Sequence, residues 1–244
     1  DTHLAQERTP GGGRMYWSSN WHPNRGHSYT HSTYELAYAE ELNFALTQYQ
    51  AGRAEEGYAL LAASLCGIYN GPTPGGLACH AYVDGRQRGN DEFADAISMW
   101  VRVLFEGLFG IGPRCAEGRT ELCPQFPAHW PRALIYTRHF RYTWQRTAGG
   151  QRLDWGAPDY TVVCLRLPLR AAAIGAVRVD GRTAAHQVEP GVGLTWLKVT
   201  TPRAIAGSIE VEYTPASISA PAARKVRVGA PLRLDLAEHG AVDW

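Results

Sequence analysis

The stretch from Asn90 to Pro113 constrains the fold more than any other part of the chain. Its apolar residues fall on nearly every side of a helical wheel, so a helix here should be surrounded by other elements. Asn90 can cap its start, and Gly110 followed by Pro113 marks its end. Three charged residues that would be costly in lipid interrupt the run: Asp95, Arg102 and Glu106. We therefore predict a buried inner helix and no membrane span, with Trp100 in the core.

Length and composition place this helix in a globular protein. The chain has 244 residues, of which 45% are hydrophobic, and a formal net charge of +1. A chain of this length and hydrophobic content can bury a sizeable core and is predicted to form two domains. A basic stripe is missing, so we exclude a nucleic-acid partner. The first residues show neither a basic region nor an apolar region of a signal peptide, and such a segment could have been removed.

The cysteines leave two alternatives open. The chain has five of them, and no two form a C-x-x-C pair, which argues against a thiolate zinc site. Cys115 and Cys123 flank a polar loop and could form a disulfide in an exported protein. Two reduced thiols in a cytosolic protein fit the spacing equally well.

Residues 1–130 are predicted to be helical, with two long loops. Ser32 and Glu35 form a capping box at the start of a helix over 33–51, and Gly52 ends it. A second helix over 53–69 follows at once, which predicts an antiparallel helical hairpin. The segments 11–32 and 70–89 show no period and are rich in glycine, so both should be loops.

From residue 131 onwards the period changes from 3.6 to 2. Residues 133–146 alternate and predict one long strand, with one set of side chains facing the core: Leu134, Tyr136, Phe140, Tyr142 and Trp144. Further strands are predicted over 160–169, 176–179, 194–200 and 208–213, with a hairpin turn at Asp180-Gly181. Residues 131–220 should thus form an antiparallel β-sandwich, and 221–244 a strand or linker towards a further region.

The two loops carry side chains suited to a sugar, which has apolar ring faces and polar edges. In the first loop these are Trp17, Trp21, His22 and Tyr29, and in the second they are His80, Asp84 and Arg86. We expect both loops at the same end of the helical layer, because each precedes a helix that should run in the same sense. The alternative is that the tryptophans anchor the loop in the core.

Three stretches together resemble a known family: the SSNWHP loop, the AEELNFALTQYQAGR helix and the EGLFGI helix end. The chain resembles the carboxy-terminal part of the six-hairpin glycosidase superfamily, and in particular an uncharacterised, mostly bacterial glycosidase-like family, over residues 11–215. The resemblance implies a partial (α/α)6 toroid followed by a β-sandwich, and activity on carbohydrate. A closed toroid has twelve helices, whereas three long helices are visible here. The rest of the barrel is therefore expected from missing residues or from another chain.

Glycoside hydrolysis generally uses two carboxyl groups, one protonated and one ionised. Glu35 is explained by its capping box, and Glu106 by a structural pair. Glu40 matches a glutamate in the family pattern and is therefore preferred over Glu41. The catalytic candidates are Glu40, Asp84 and Asp95.

Alternative functions remain open. A metal site from His22, His27 and His31 is disfavoured because no motif such as H-E-x-x-H accompanies them, and no cofactor is predicted. The expected partner is a carbohydrate substrate, with no membrane partner, in a periplasmic or secreted protein. A non-catalytic carbohydrate-binding or architectural module is the main alternative to a hydrolase, and a polysaccharide lyase a weaker one.

Overall fold

The computed structural model describes residues 6–8, 14–16, 36–70, 80–81, 87–88 and 94–215. The chain divides into two compact units. The helical unit comprises Asp1–Gly112 and Cys123–His129, and the β unit comprises Pro113–Leu122 and Trp130–Trp244. Residues 113–122 thus leave the helical unit and belong to the β unit.

The described part of the helical unit contains three α-helices: α1 (Tyr38–Gln50), α2 (Ala54–Asn70) and α3 (Ala94–Arg102). A π-helix, Val103–Leu108, continues α3 directly. Five short strands accompany them: β1 (Gln6–Arg8), β2 (Arg14–Tyr16), β3 (Leu36–Ala37), β4 (His80–Ala81) and β5 (Gln87–Arg88). A toroid remains a prediction, because the three described helices do not by themselves form one.

The predicted pair of successive helices, α1 and α2, is present. Gly52 ends α1 as predicted, because its N–H donates to the Tyr49 carbonyl (2.9 Å) and the Arg53 N–H donates to the Gln48 carbonyl (2.8 Å), the pattern of a Schellman motif. The start is later than predicted, at Tyr38 and not Thr33, because residues 36–37 pair with another strand. The capping residues Ser32 and Glu35 lie outside the described residues.

The ring of Tyr49 is the packing centre of the helical unit. It is 1% exposed, and it lies against two glycines, Gly57 in α2 and Gly107 in the π-helix. A Cβ at Gly107 would approach the ring to 2.5 Å, so only glycine lets the π-helix come this close. The Tyr49 carbonyl also accepts a hydrogen bond from Gln125 Nε2 at 2.7 Å. The QYQAGR and EGLFG stretches therefore meet in one core.

The prediction of a helix over 90–113 that is buried on all sides is wrong. Ala96 and Val103 are fully buried, but Val101 is 45% exposed, and the ion pair between Arg102 and Glu106 (3.0 Å) lies in solvent. Trp100 is half-buried and not a fully enclosed core residue. The helix packs one face against α1, so its apolar residues on the other side stay accessible.

The β unit contains nine strands after the connecting strand β6 (Ile111–Arg114). They are β7 (Arg119–Leu122), β8 (Arg132–Tyr136), β9 (Arg141–Thr147), β10 (Gly150–Leu169), β11 (Ala171–Val179), β12 (Arg182–Thr183), β13 (His186–Gly191), β14 (Leu194–Thr200) and β15 (Ala204–Pro215). The Asp180-Gly181 turn between β11 and β12 is confirmed, with φ of 50° and 75°.

Strand β10 runs through two sheets. Its first half, Gly150–Gly156, pairs with β9 on one side and β15 on the other, and β8, β11 and β12 complete this front sheet. Its second half, Val162–Leu169, pairs with β7 and β14 in a back sheet that ends at β13. The predicted β-rich, mainly antiparallel domain is confirmed. One pairing differs, since β7 runs parallel to β10.

The single strand predicted over 133–146 is in fact the β8–β9 hairpin. The Thr137 hydroxyl holds the turn, because its Oγ1 accepts from the Phe140 N–H (2.9 Å) and donates to the Phe140 carbonyl (2.7 Å). The turn changes the phase of the alternation. Leu134 and Tyr136 are therefore exposed, while Phe140, Tyr142 and Trp144 are buried as predicted.

The state of Cys123 bears on the two alternatives for the cysteines, a disulfide with Cys115 or two reduced thiols. It is a thiol in the structure and not half of a disulfide, so the pairing with Cys115 is not formed. Its sulfur lies 3.5 Å from Gln125 Nε2, which also bonds the end of α1.

Candidate functional site

The described part of the candidate site lies at the start of α1. Strand β3 leads directly into this helix and pairs antiparallel with β4, with Ala37 opposite His80. Strand β5 pairs with β4 on the other side, with Arg88 opposite His80. Neighbouring strands lie about 4.8 Å apart, so the 70–89 segment is joined to the entry of α1. The prediction that 70–89 is a loop is therefore wrong at residues 80–81 and 87–88, which form strands.

Two carboxylates occupy the first turn of α1, where the helix dipole favours negative charge. Glu40 is exposed, whereas Glu41 is buried, with 6% of its surface accessible. Glu41 follows Tyr38 by three residues and precedes Leu42, so it falls on the buried stripe of the helix. The helical wheel therefore indicated that Glu41 would be buried. Glu40 was preferred only because it matches a glutamate in the family pattern.

Asp95 lies in the first turn of α3 and is exposed. Glu40 is exposed as well, so both described catalytic candidates are surface carboxylates in contact with solvent. Among the acidic side chains that the structure describes, Glu41 is the buried one.

The remaining predicted residues lie outside the described residues or are described only in their backbone. Trp17, Trp21, His22, Tyr29, Asp84 and Arg86 belong to the first group, as do His27 and His31 of the metal alternative. His80 is described as a residue of β4. The roles assigned to all of them stay predictions.

The first loop is described only at Arg14–Tyr16. These residues form strand β2, paired with β1 so that Gln6 lies opposite Tyr16. A strand in this segment was not predicted. That the two loops lie at the same end of the helical layer stays a prediction. Residues 80–81 of the second loop are described next to the start of α1, whereas the first loop is described only at residues 14–16.

Across the described ranges, no group of three or more His, Cys, Asp or Glu side chains could hold a metal ion. Among the described helices, none is long and apolar enough to cross a membrane.

Comparison with known proteins finds no match in sequence and only low-scoring similarity to solved structures. No protein-family model matches the chain, and no curated protein matches its sequence. An α-L-rhamnosidase from Dictyoglumus thermophilum is similar with a TM-score of 0.45 and 10% identity, over 72% of this chain and 21% of that one. The Streptomyces avermitilis α-L-rhamnosidase, solved with L-rhamnose, has a TM-score of 0.34 and 13% identity over the same shares. This chain therefore spans about a fifth of the length of these enzymes.

Proposed function

We propose that the protein is a glycoside hydrolase, or a part of one, acting on an oligosaccharide or polysaccharide. The observation that supports this best is the pairing of β3 with β4. It joins the first turn of α1, with Glu40 and Glu41, to the segment that carries His80, Asp84 and Arg86. The backbone of His80 thus lies beside the strand that leads into the carboxylate-bearing turn of α1.

The chemistry needs one carboxylic acid to protonate the leaving oxygen and one carboxylate to activate water or attack carbon. Glu41 joins the candidates for the acid because it is the buried carboxylate in the first turn of α1. Glu40, Asp84 and Asp95 remain the candidates for its partner, since an ionised carboxylate tolerates solvent.

The substrate contacts are proposed on the aromatic loop. Trp17, Trp21 and Tyr29 offer faces for a sugar ring, and His22, His80 and Arg86 offer hydrogen bonds to its hydroxyls. The fold that would enclose this site is a partial (α/α)6 toroid, completed by further residues or by another chain. The setting would be periplasmic or secreted.

The test is release of reducing ends from a panel of polysaccharides by the protein that contains this chain. We expect Glu41→Gln and Asp84→Asn each to lower kcat by about 10²- to 10⁴-fold, the usual contribution of general acid–base catalysis. The control is Glu106→Gln, which removes an exposed glutamate paired only with Arg102 in the described ion pairs. Full activity of the Glu40→Gln, Glu41→Gln, Asp84→Asn and Asp95→Asn variants would refute a catalytic site in this chain.

The second candidate is a non-catalytic carbohydrate-binding module. It is favoured by the exposure of Glu40 and Asp95, which leaves two of the three predicted catalytic carboxylates in solvent. Sugar binding without release of reducing ends would support this candidate over the hydrolase.

A further inference from the structure

The outer face of the front sheet contains a groove where β8, β9 and β10 run side by side. The register places Tyr136 beside Arg141 and Gly156, and Leu134 beside Thr143 and Asp154. The side chains at 134, 136, 141, 143 and 154 point away from the core, because the residues between them along each strand are buried. The outer groove is open and has a volume of about 210 Å³; its lining consists of Leu134, Arg141, Tyr142, Thr143, Asp154 and Trp155.

Two exposed apolar side chains lie at the outer groove: Leu134 lines it, and Tyr136 lies beside it, opposite the lining residue Arg141. Tyr136 is 75% exposed and Leu134 is 59% exposed. The other aromatic residues of the same hairpin, Phe140, Tyr142 and Trp144, are all buried. An exposed tyrosine ring beside polar groups offers a flat face for the C–H surface of a sugar ring.

The donor of the outer groove is Arg141. Within the described residues its guanidinium forms no hydrogen bond or ion pair, whereas the nearby Arg152 is bonded to both Asp154 and Glu210. The Arg141 side chain lies over Gly156, where a Cβ would come within 2.9 Å of its Nε. The missing side chain at Gly156 thus makes room for an arginine whose five N–H donors face a ligand.

The acceptor of the outer groove is Asp154. Arg152 donates three hydrogen bonds to it, at 2.7, 2.9 and 3.1 Å, and these fix the orientation of the carboxylate. A carboxylate has about four acceptor positions, so one remains for a ligand. The groove therefore presents a donor-only group and an acceptor-only group next to an aromatic face.

We infer that the outer groove binds a neutral sugar residue of a carbohydrate chain. The sugar ring packs on Tyr136, one hydroxyl accepts from Arg141, and a neighbouring hydroxyl donates to Asp154. A hydroxyl both donates and accepts, which suits this mixed pair of groups. A carboxylated sugar fits less well, because its charge would face Asp154 as well as Arg141. The carbohydrate nature of the ligand rests on the proposed function, but the site requires binding only and no hydrolysis.

The experiment is isothermal titration calorimetry of the 244-residue chain with neutral oligosaccharides and with oligogalacturonides as the acidic comparison. We expect a neutral oligosaccharide to bind, and Tyr136→Ser and Arg141→Met each to raise its Kd by about tenfold or more. Tyr160→Ser and Arg182→Met are the matched controls, because both residues are exposed in the β unit and neither lines the groove. Their Kd should equal that of the unsubstituted chain.

Gly156→Ala gives an independent check, since the added methyl group displaces Arg141 without removing it. We expect weaker sugar binding with an unchanged far-UV circular dichroism spectrum. The inference is overturned by unchanged Kd values in all three groove variants, by absence of binding to every neutral sugar, by binding of the acidic oligosaccharide alone, or by sedimentation data in which a second copy of the chain covers the groove. Hydrolysis by the groove variants should be unchanged on a small aryl glycoside, so that failure of this inference and failure of the catalytic proposal are separable.

Discussion

At the scale of single residues, Tyr49 explains much of the sequence pattern in the helical unit. Two glycines are needed because its ring occupies the space where their side chains would lie. Its hydroxyl is buried and has no hydrogen-bond partner among the residues that the structure describes. The buried ring of Tyr49 therefore stabilises the folded state, whereas burial of its hydroxyl oxygen costs free energy.

Replacing Tyr49 separates these two contributions. We expect Tyr49→Ala to lower the free energy of unfolding by about 3–5 kcal/mol, the usual range for emptying a large aromatic site. Tyr49→Phe should leave it within about 1 kcal/mol or raise it, because no hydrogen bond is lost. Urea denaturation of the three proteins at pH 8 measures both effects. A loss in the phenylalanine variant as large as in the alanine variant would contradict this account.

The same hydroxyl predicts a pH dependence. Burial, with smaller effects of Tyr58 and Glu55, raises the pKa of Tyr49 well above its ordinary value. A tyrosine in the unfolded chain ionises near pH 10, so the unfolded state loses its proton first. The stability from neutral Tyr49 is thus fully present below about pH 10 and is lost as the pH rises further. Tyr49→Phe should lose less stability than the wild type between pH 9 and 11.

Two glycines with the same backbone conformation provide a matched pair. Gly110 and Gly118 have φ of +63° and +64°, so alanine at either position carries strain of about 1–2 kcal/mol. At Gly110 a Cβ would also lie 2.0 Å from the Cys123 carbonyl oxygen, whereas at Gly118 its nearest neighbour is Arg203 Nη2 at 3.6 Å.

We therefore expect Gly110→Ala to lose at least about 2 kcal/mol more than Gly118→Ala, since overpacking is added to the strain. Thermal or urea unfolding of the two variants measures the difference. Equal losses would show that the backbone around Cys123 yields to the added methyl group.

At the scale of elements, the long strand β10 organises the β unit. Strands usually have 3–10 residues, and its 20 residues serve two sheets in turn. The register with β15 shifts between Gly156 and Thr161, where Pro158 cannot donate a ladder hydrogen bond. The sequence predicts a strand only over 160–169, whereas in the structure the strand begins at Gly150 and continues through this register shift.

At the scale of the whole molecule, the chain passes between its units at three places: after Gly112, after Leu122 and after His129. Strand β7 therefore belongs to the β unit although helical-unit segments flank it. It pairs with Val162–Leu165 of β10, and Leu122 is fully buried opposite Leu165. A cut at residue 130 would remove this strand from the β unit.

This arrangement predicts different behaviour for two fragments. A fragment of residues 113–244 should melt cooperatively and stay monomeric. A fragment of residues 131–244 should melt at a lower temperature and associate, because the back sheet loses β7 and exposes an unpaired, apolar edge. Size-exclusion chromatography and thermal melting compare them. Equal melting temperatures and equal elution volumes would mean that β7 adds nothing to the sandwich.

The sequence by itself determined local features: the end of α1 at Gly52, the β11–β12 turn, and the residues of β14, because turn chemistry and side-chain period act over a few neighbours. Tertiary structure decided which side of each element is buried. The period-2 pattern of 133–146 does not state where the chain reverses, so the turn at Thr137 left Tyr136 exposed. Likewise, two adjacent glutamates in α1 carry the same charge and propensity. Glu41 is buried and Glu40 is not, because burial depends on the partner that packs against each face of the helix.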